Sequence, residues 1–154
     1  MPLRPMAPRD EAELRAVYVD AIDSTAPGLY SEAQVMAWRS VALLPGPLDE
    51  TLRRGIGLVS EGERGIEAFA VLHPSDRLAL LYCRGRSARQ GRAAALLDRL
   101  EAEARRRGCR SLRTEASLIS RPLLERRGWQ VVAPERIEIA GVSFDRFRMA
   151  LALD

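Results

Sequence analysis

The sequence contains no lysine and no asparagine; all 24 of its basic residues are arginine. Without lysine there is no Schiff-base chemistry and no phosphate loop of the GxxxxGK type. One histidine and two cysteines give no disulfide scaffold and little material for a metal centre, and no metal is expected. Aromatic residues make up only 5% of the chain and the net charge is +3. A nucleic-acid binder would show a stronger basic stripe with interleaved aromatics, so no nucleic-acid partner is expected. No apolar run approaches the ~20 residues of a membrane span. The opening Met1-Pro2-Leu3-Arg4-Pro5 leads into charged sequence, not a signal-peptide core. These absences read as a soluble, reduced, cytoplasmic protein without a membrane partner.

What is present is an ordinary globular balance: 154 residues, 47% apolar and 29% charged. That length fits one domain, 1–154, able to bury roughly 70% of its unfolded surface without a staple. Leu3 to Met6 reads as a short strand. From Arg9 or Asp10 a helical stretch carries Leu14, Val17, Val19, Ala21 and Ile22. Ser31 and Gln34 have the spacing of a capping box, opening a helix with Val35, Trp38 and Val41. Pro45-Gly46-Pro47 is a break. Gly57 to Ser60, Ile66 to Leu72 and Leu78 to Arg84 then read as an antiparallel meander.

Gly91 to Arg107 has the clearest helical period, with Ala93, Leu97, Leu100 and Ala104 on one stripe and Leu96 widening it. Asp98, Arg99, Glu101, Glu103 and Arg105 are expected on the solvent side. Gly108 suits the C′ position. Ser111 to Ala116 is a strand, so the strands flanking this helix should be parallel. Ser120-Arg121-Pro122 starts a short helix, with Ser120 as N-cap, ending at Gly128. Trp129 to Val132, Ile137 to Ala140 and Val142 to Leu153 close the chain as strands, with Ala140-Gly141 as a hairpin turn.

The segment from Arg84 to Ala94 joins a strand to the long helix and carries Arg84, Arg86, Arg89 and Arg92. Helix N-termini present unpaired N–H groups and bind phosphate readily. Gly91, Ala93 and Ala94 let a ligand approach the backbone, and the arginines can add charge-assisted contacts. A diphosphate fits this pattern; a solvated turn with a good helix start fits it as well.

At this point the residues resemble a known family. Ala88-Arg89-Gln90-Gly91-Arg92-Ala93 resembles the Gln/Arg-x-x-Gly-x-Gly/Ala loop of the GNAT-type N-acetyltransferases, with alanine in the first place. Leu80-Leu81-Tyr82-Cys83 looks like the family's LLYV strand. Thr114-Glu115-Ala116-Ser117 and Arg121 to Trp129 look like the TEAS and ARPFFEKxGF segments of a branch of small bacterial acetyltransferases. The resemblance implies an α/β (α+β) fold: a mixed, largely antiparallel central sheet with helices on both faces and a parallel strand pair flanking the main helix. It implies acetyl-CoA as co-substrate, held by Leu81, Tyr82 and Cys83, by the loop residues Ala88, Arg89, Gln90, Gly91, Arg92, Ala93 and Ala94, and by Ser117. It further implies direct transfer of an acetyl group to an amine of a small molecule or peptide. A homodimer is compatible with it, two-fold dimers being the commonest oligomers.

The family's usual tyrosine acid falls on Leu124, its usual strand carboxylate on Ala79, and its usual asparagine on Ser117. Glu115, at the C-terminal end of a parallel strand where crevices form, and Tyr82 are the replacement catalytic candidates. The plain alternatives are an ion pair of Glu115 with Arg113 and a half-buried core tyrosine. Tyr30, Trp38 and Glu67 are candidates for the substrate pocket, with core packing and an edge-exposed carboxylate as their alternatives. A competing reading is a non-catalytic acyl-CoA-binding relative, a sensor or interaction module, which would account for Leu124 and Ala79.

Overall fold

Alternating apolar residues along seven strands give the sheet two buried faces, and each recruits its own helices. The structure, a computed structural model, describes residues 2–154. Strands β1 (Leu3–Pro5), β2 (Ile56–Gly62), β3 (Gly65–Leu72), β4 (Arg77–Cys83), β5 (Ser111–Ala116), β6 (Gln130–Ile139) and β7 (Val142–Ala152) form one sheet in the order β1-β2-β3-β4-β5-β7-β6. All neighbours are antiparallel except β4 and β5. This is the mixed, largely antiparallel fold expected. Among the described residues no helix is long and apolar enough to cross a membrane.

Helices α1 (Glu11–Thr25), α2 (Glu32–Leu43) and α3 (Pro47–Arg54) cover one face, where Leu14, Val17, Tyr18 and Ile22 meet Phe69, Val71 and Leu80. Helices α4 (Arg92–Arg106) and α5 (Arg121–Arg126) cover the other, where Leu96, Leu97, Leu100 and Leu124 meet Ala68, Ala70, Leu72 and Leu78. The capping box of α2 forms as expected: the Gln34 N–H donates to Ser31 Oγ at 3.1 Å and the Ser31 N–H to Gln34 Oε1 at 2.9 Å.

Four expectations are corrected. The Pro45–Pro47 break is also a start, because proline suits the first position of α3 and the Asp49 carboxylate accepts the Gly46 N–H at 3.2 Å. Residues 130–139 form one strand where two were expected. Pro134 is tolerated because β6 is the sheet's edge. Glu101 is not on the solvent side of α4 but buried, facing Arg127. Ser120 makes no cap bond to α5; its hydroxyl instead accepts the Ser117 N–H at 3.1 Å.

Ala140 (φ +50°) and Gly141 (φ +78°) close the β6–β7 hairpin, positive φ at both central positions being the type I′ geometry. A Cβ in that region costs about 1 kcal/mol. Ala140→Asn is therefore expected to raise the melting temperature by about 2–4 °C, read by circular dichroism.

Candidate active site

The site begins where a parallel ladder stops. β4 pairs with β5 only at Arg77–Arg113 and Leu78–Thr114. The Thr114 hydroxyl donates to the Leu78 carbonyl at 2.6 Å, closing the ladder there. On the β3 side, Val71 pairs with Leu80 and Leu72 with Leu78, leaving Ala79 as a bulge. A bulge shifts the side-chain alternation by one residue. Leu78 therefore faces α4, whereas Ala79 and Leu80 face α1 and α2. Beyond it β4 continues without a partner on its β5 side. Because the Arg84 N–H donates to the Glu67 carbonyl at 2.8 Å, the alternation of an antiparallel pair turns the N–H and C=O of Leu81 and Cys83 outward into this opening.

The helix that follows points its open end at the same gap. Gly91 is the N-cap of α4 at φ +81°, the left-handed region open to glycine, with no side-chain cap. The first intrahelical bond runs from the Ala95 N–H to the Gly91 carbonyl at 3.0 Å. The N–H groups of Arg92, Ala93 and Ala94 are left pointing out, at the positive end of the helix dipole. A cavity of about 1050 Å³ joins this helix end, the β4 edge and the space beneath α1 and α2.

The cavity wall includes Leu81, Tyr82, Cys83, Ala88, Arg89, Gly91, Arg92, Ala93, Ala94 and Ser117, but not Gln90. The loop arginines divide by role. Arg84 Nε donates to the Ile66 carbonyl at 2.9 Å, Arg86 grips Glu67, and Arg92 reaches Ser60 Oγ at 2.8 Å. Only Arg89 lacks a protein partner among the described residues, so three of the four arginines read as ligand contacts are anchors of the loop itself. The Ser117 hydroxyl accepts the N–H groups of Ile119 and Ser120, both at 3.1 Å, and shapes the turn into α5.

Glu67 lies away from the cavity and is not edge-exposed. Its buried carboxylate accepts from Arg86 Nε at 2.9 Å, from Arg86 Nη2 at 2.6 Å and from Ser87 Oγ at 2.5 Å. The Arg86 guanidinium, against an opposing cost of burial, holds it down to about 2. Its place is under the loop, not in the substrate pocket.

Glu115 does line the cavity, close to where β4 and β5 part. Its partner is Arg77, with Nη2 at 2.6 Å and Nε at 3.0 Å, rather than Arg113, which pairs with Asp76. Two-residue spacing put Arg113 on the right face, but the ladder set β4's first residue closer. Tyr82 faces α1 and α2. Its hydroxyl accepts from Trp38 Nε1 at 3.2 Å, and its ring lies 4.3 Å from that of Tyr18 and 5.9 Å from Phe69. Burial pushes the Tyr82 phenol up, against the opposing effect of its hydrogen bond from Trp38. Tyr30 and Trp38 meet edge to face at 5.2 Å. The Tyr30 hydroxyl accepts the Leu118 N–H at 2.9 Å, tying the aromatic wall to the α5 turn. Leu124 and Ala79, which the resemblance sets at the family's acid and base positions, both line the cavity and carry no ionisable group. Arg146 also lines the cavity, a placement that sequence reading missed because it depends on β7 lying between β5 and β6.

Comparison with known proteins agrees with this geometry. Residues 53–151 match the family model described as an acetyltransferase (GNAT) domain. The chain is 28% identical over 153 residues to the uncharacterized N-acetyltransferase YafP of Escherichia coli K12, covering 96% of this chain and 93% of that one. It superposes with a TM-score of 0.92 on the GCN5-related N-acetyltransferase (Aminotransferase, Class-II) of Rhodopseudomonas palustris, at 28% identity over 99% of this chain and 95% of that one. YncA of Salmonella typhimurium, solved with acetyl-CoA, shares the fold at a TM-score of 0.67 and 22% identity, over 100% and 94% of the two chains. The parted β4–β5 pair, the glycine-led helix end and the matched family model lead to one conclusion: this chain belongs to the GNAT acetyltransferase family.

Proposed function

We propose that the chain is an N-acetyltransferase that moves an acetyl group from acetyl-CoA to the amine of a small molecule or peptide by direct transfer. The observation that carries this reading is the meeting, in one cavity, of an unpaired β4 edge and the uncapped α4 N-terminus behind Gly91. Those donors fit the co-substrate. The N–H groups of Arg92, Ala93 and Ala94, with the Arg89 guanidinium, would hold the diphosphate. The outward N–H and C=O of Cys83, with the Leu81 C=O, would hold the pantetheine amides, leaving the Leu81 N–H free. Acetyl-CoA supplies an acetyl thioester, whose C–S bond is exchanged for the N–C bond of the product amide as CoA leaves as the thiol.

The chain's own residues then have few tasks. Positioning the amine supplies most of the acceleration, as expected where the two usual ionisable groups are replaced by Leu124 and Ala79. Glu115 draws the acceptor ammonium to the gap between β4 and β5 and receives its proton. An outward β4 N–H steadies charge on the carbonyl oxygen. Tyr82 lines the acceptor side as a wall and proton donor. The Cys83 side chain packs on the α4 side of the sheet and burial pushes its thiol up, both of which disfavour an acyl-cysteine and support direct transfer.

The test couples calorimetric titration of acetyl-CoA with thiol release over an amine panel. Micromolar binding and turnover are expected. Glu115→Gln should lower kcat by about 100-fold, the lower end of acid–base contributions, with the acetyl-CoA Kd unchanged. Binding without turnover on any amine would favour the non-catalytic reading, to which Leu124 and Ala79 already point.

A further inference from the structure

Beyond the parting of β4 and β5 the cavity runs under α1 and α2, and there its floor is charged. Across β5 and β7, Glu115 stands opposite Arg148; across β7 and β6, Arg146 stands opposite Glu135. Strand alternation places all four on the side of Phe144, and Arg77 joins them from β4 through its ion pair with Glu115. Three guanidiniums therefore share two carboxylates. Glu135 takes Arg146 at 2.5 Å and also lies 3.9 Å from Arg148.

Arg146 is the exposed end of this arrangement. It is half-buried on the cavity wall, and only its Nε is engaged, by Glu135. Its two terminal NH₂ groups have no protein partner among the described residues. A guanidinium fixed through Nε presents its fork ready for a carboxylate, which it binds in bidentate geometry. Glu115 and Arg146 are diagonal neighbours on the sheet, a separation of about 7–8 Å that is somewhat shorter between their Cβ atoms. An anionic and a cationic group thus flank the same stretch of cavity.

We propose that the acceptor is an amine carrying its own carboxylate, an amino acid or the amino-acid-like end of a larger molecule, with the carboxylate on the Arg146 fork and the ammonium on Glu115. This rests on the transferase reading and narrows it. The surplus guanidinium opposes polyamines and other purely cationic acceptors, whereas a zwitterion matches both flanks.

The test uses leucine, phenylalanine and methionine, each as free amino acid and as carboxamide, with spermidine as the cationic probe. Thiol release measures turnover with acetyl-CoA, and calorimetry on CoA-loaded protein measures binding without it. Free acids are expected to exceed their amides at least tenfold in kcat/KM and to outbind spermidine. Arg146→Gln should raise KM for the acids about tenfold, leaving kcat and the amides unchanged. Arg146→Lys, which keeps the charge without the fork, should recover only part of the loss. Arg106→Gln, removing an arginine paired with Glu103 on α4 away from the cavity, should change nothing. Amides equal to acids, or Arg146→Gln depressing both alike, would overturn the proposal. Acids that bind through Arg146 but are never acetylated would uphold this site and remove the transferase reading instead.

Discussion

A Gly91→Glu protein is expected to bind acetyl-CoA about 1000-fold more weakly than wild type while still folding. Two effects add. Gly91 sits at φ +81°, where any side chain costs about 1–2 kcal/mol. The new carboxylate would also stand at the open end of α4, where N–H groups and the helix dipole otherwise welcome an anion, and like charges brought together cost several kcal/mol. Gly91→Ala separates the two, carrying the backbone cost alone, and should weaken binding by less than tenfold. Melting temperatures should fall only a few degrees in both, which calorimetry and circular dichroism together would establish. Unchanged affinity in the glutamate variant would place the coenzyme elsewhere on the molecule.

That prediction was reachable from sequence because the feature behind it is local. A glycine before a well-patterned helix, after an apolar strand, encodes both the turn and the uncapped N-terminus. The Ser31–Gln34 capping box and the Ala140-Gly141 turn were legible for the same reason, each being written within four residues. Ala79 shows the limit. Nothing in Leu78-Ala79-Leu80 marks a bulge, which exists only because β3 pairs Leu72 with Leu78 and Val71 with Leu80. Yet that bulge decides which of these side chains packs beneath α1 and α2 and which against α4.

Charge partners were less legible still. The sequence offered Arg113 to Glu115 by spacing, but the partner is Arg77, 38 positions away and brought alongside by the parallel ladder. Arg146 gave no signal at all, since its meaning depends on β7 entering the sheet between β5 and β6. Four arginines in one loop suggested four phosphate contacts. The fold assigns three of them to carbonyl, hydroxyl and carboxylate groups behind the loop, so that backbone N–H groups and Arg89 are left facing the cavity. An arginine-rich loop is thus partly its own scaffold.

Glu67 is the centre of that scaffold, and Glu67→Gln is expected to cost about 3 kcal/mol of folding stability at pH 7. The Arg86 guanidinium is the main reason its carboxyl is held from the ordinary 4.5 down to about 2. A depressed carboxylate stabilises the fold fully above its unfolded value. That contribution is lost as pH falls from about 4.5 through about 2, where the native carboxylate takes up its proton. Urea unfolding of wild type should therefore show stability falling steeply across this window. The glutamine variant should lack that part of the slope, and the two curves should converge near its acid end. Because the same carboxylate orders Arg86 and Ser87 just ahead of Gly91, the variant should also bind acetyl-CoA more weakly at neutral pH, with Gly91 itself intact. A loss below about 1 kcal/mol, small for a broken buried ion pair, would mean that the Arg84 bond to the Ile66 carbonyl and the Gly85 bond to Asp20 hold the loop without it.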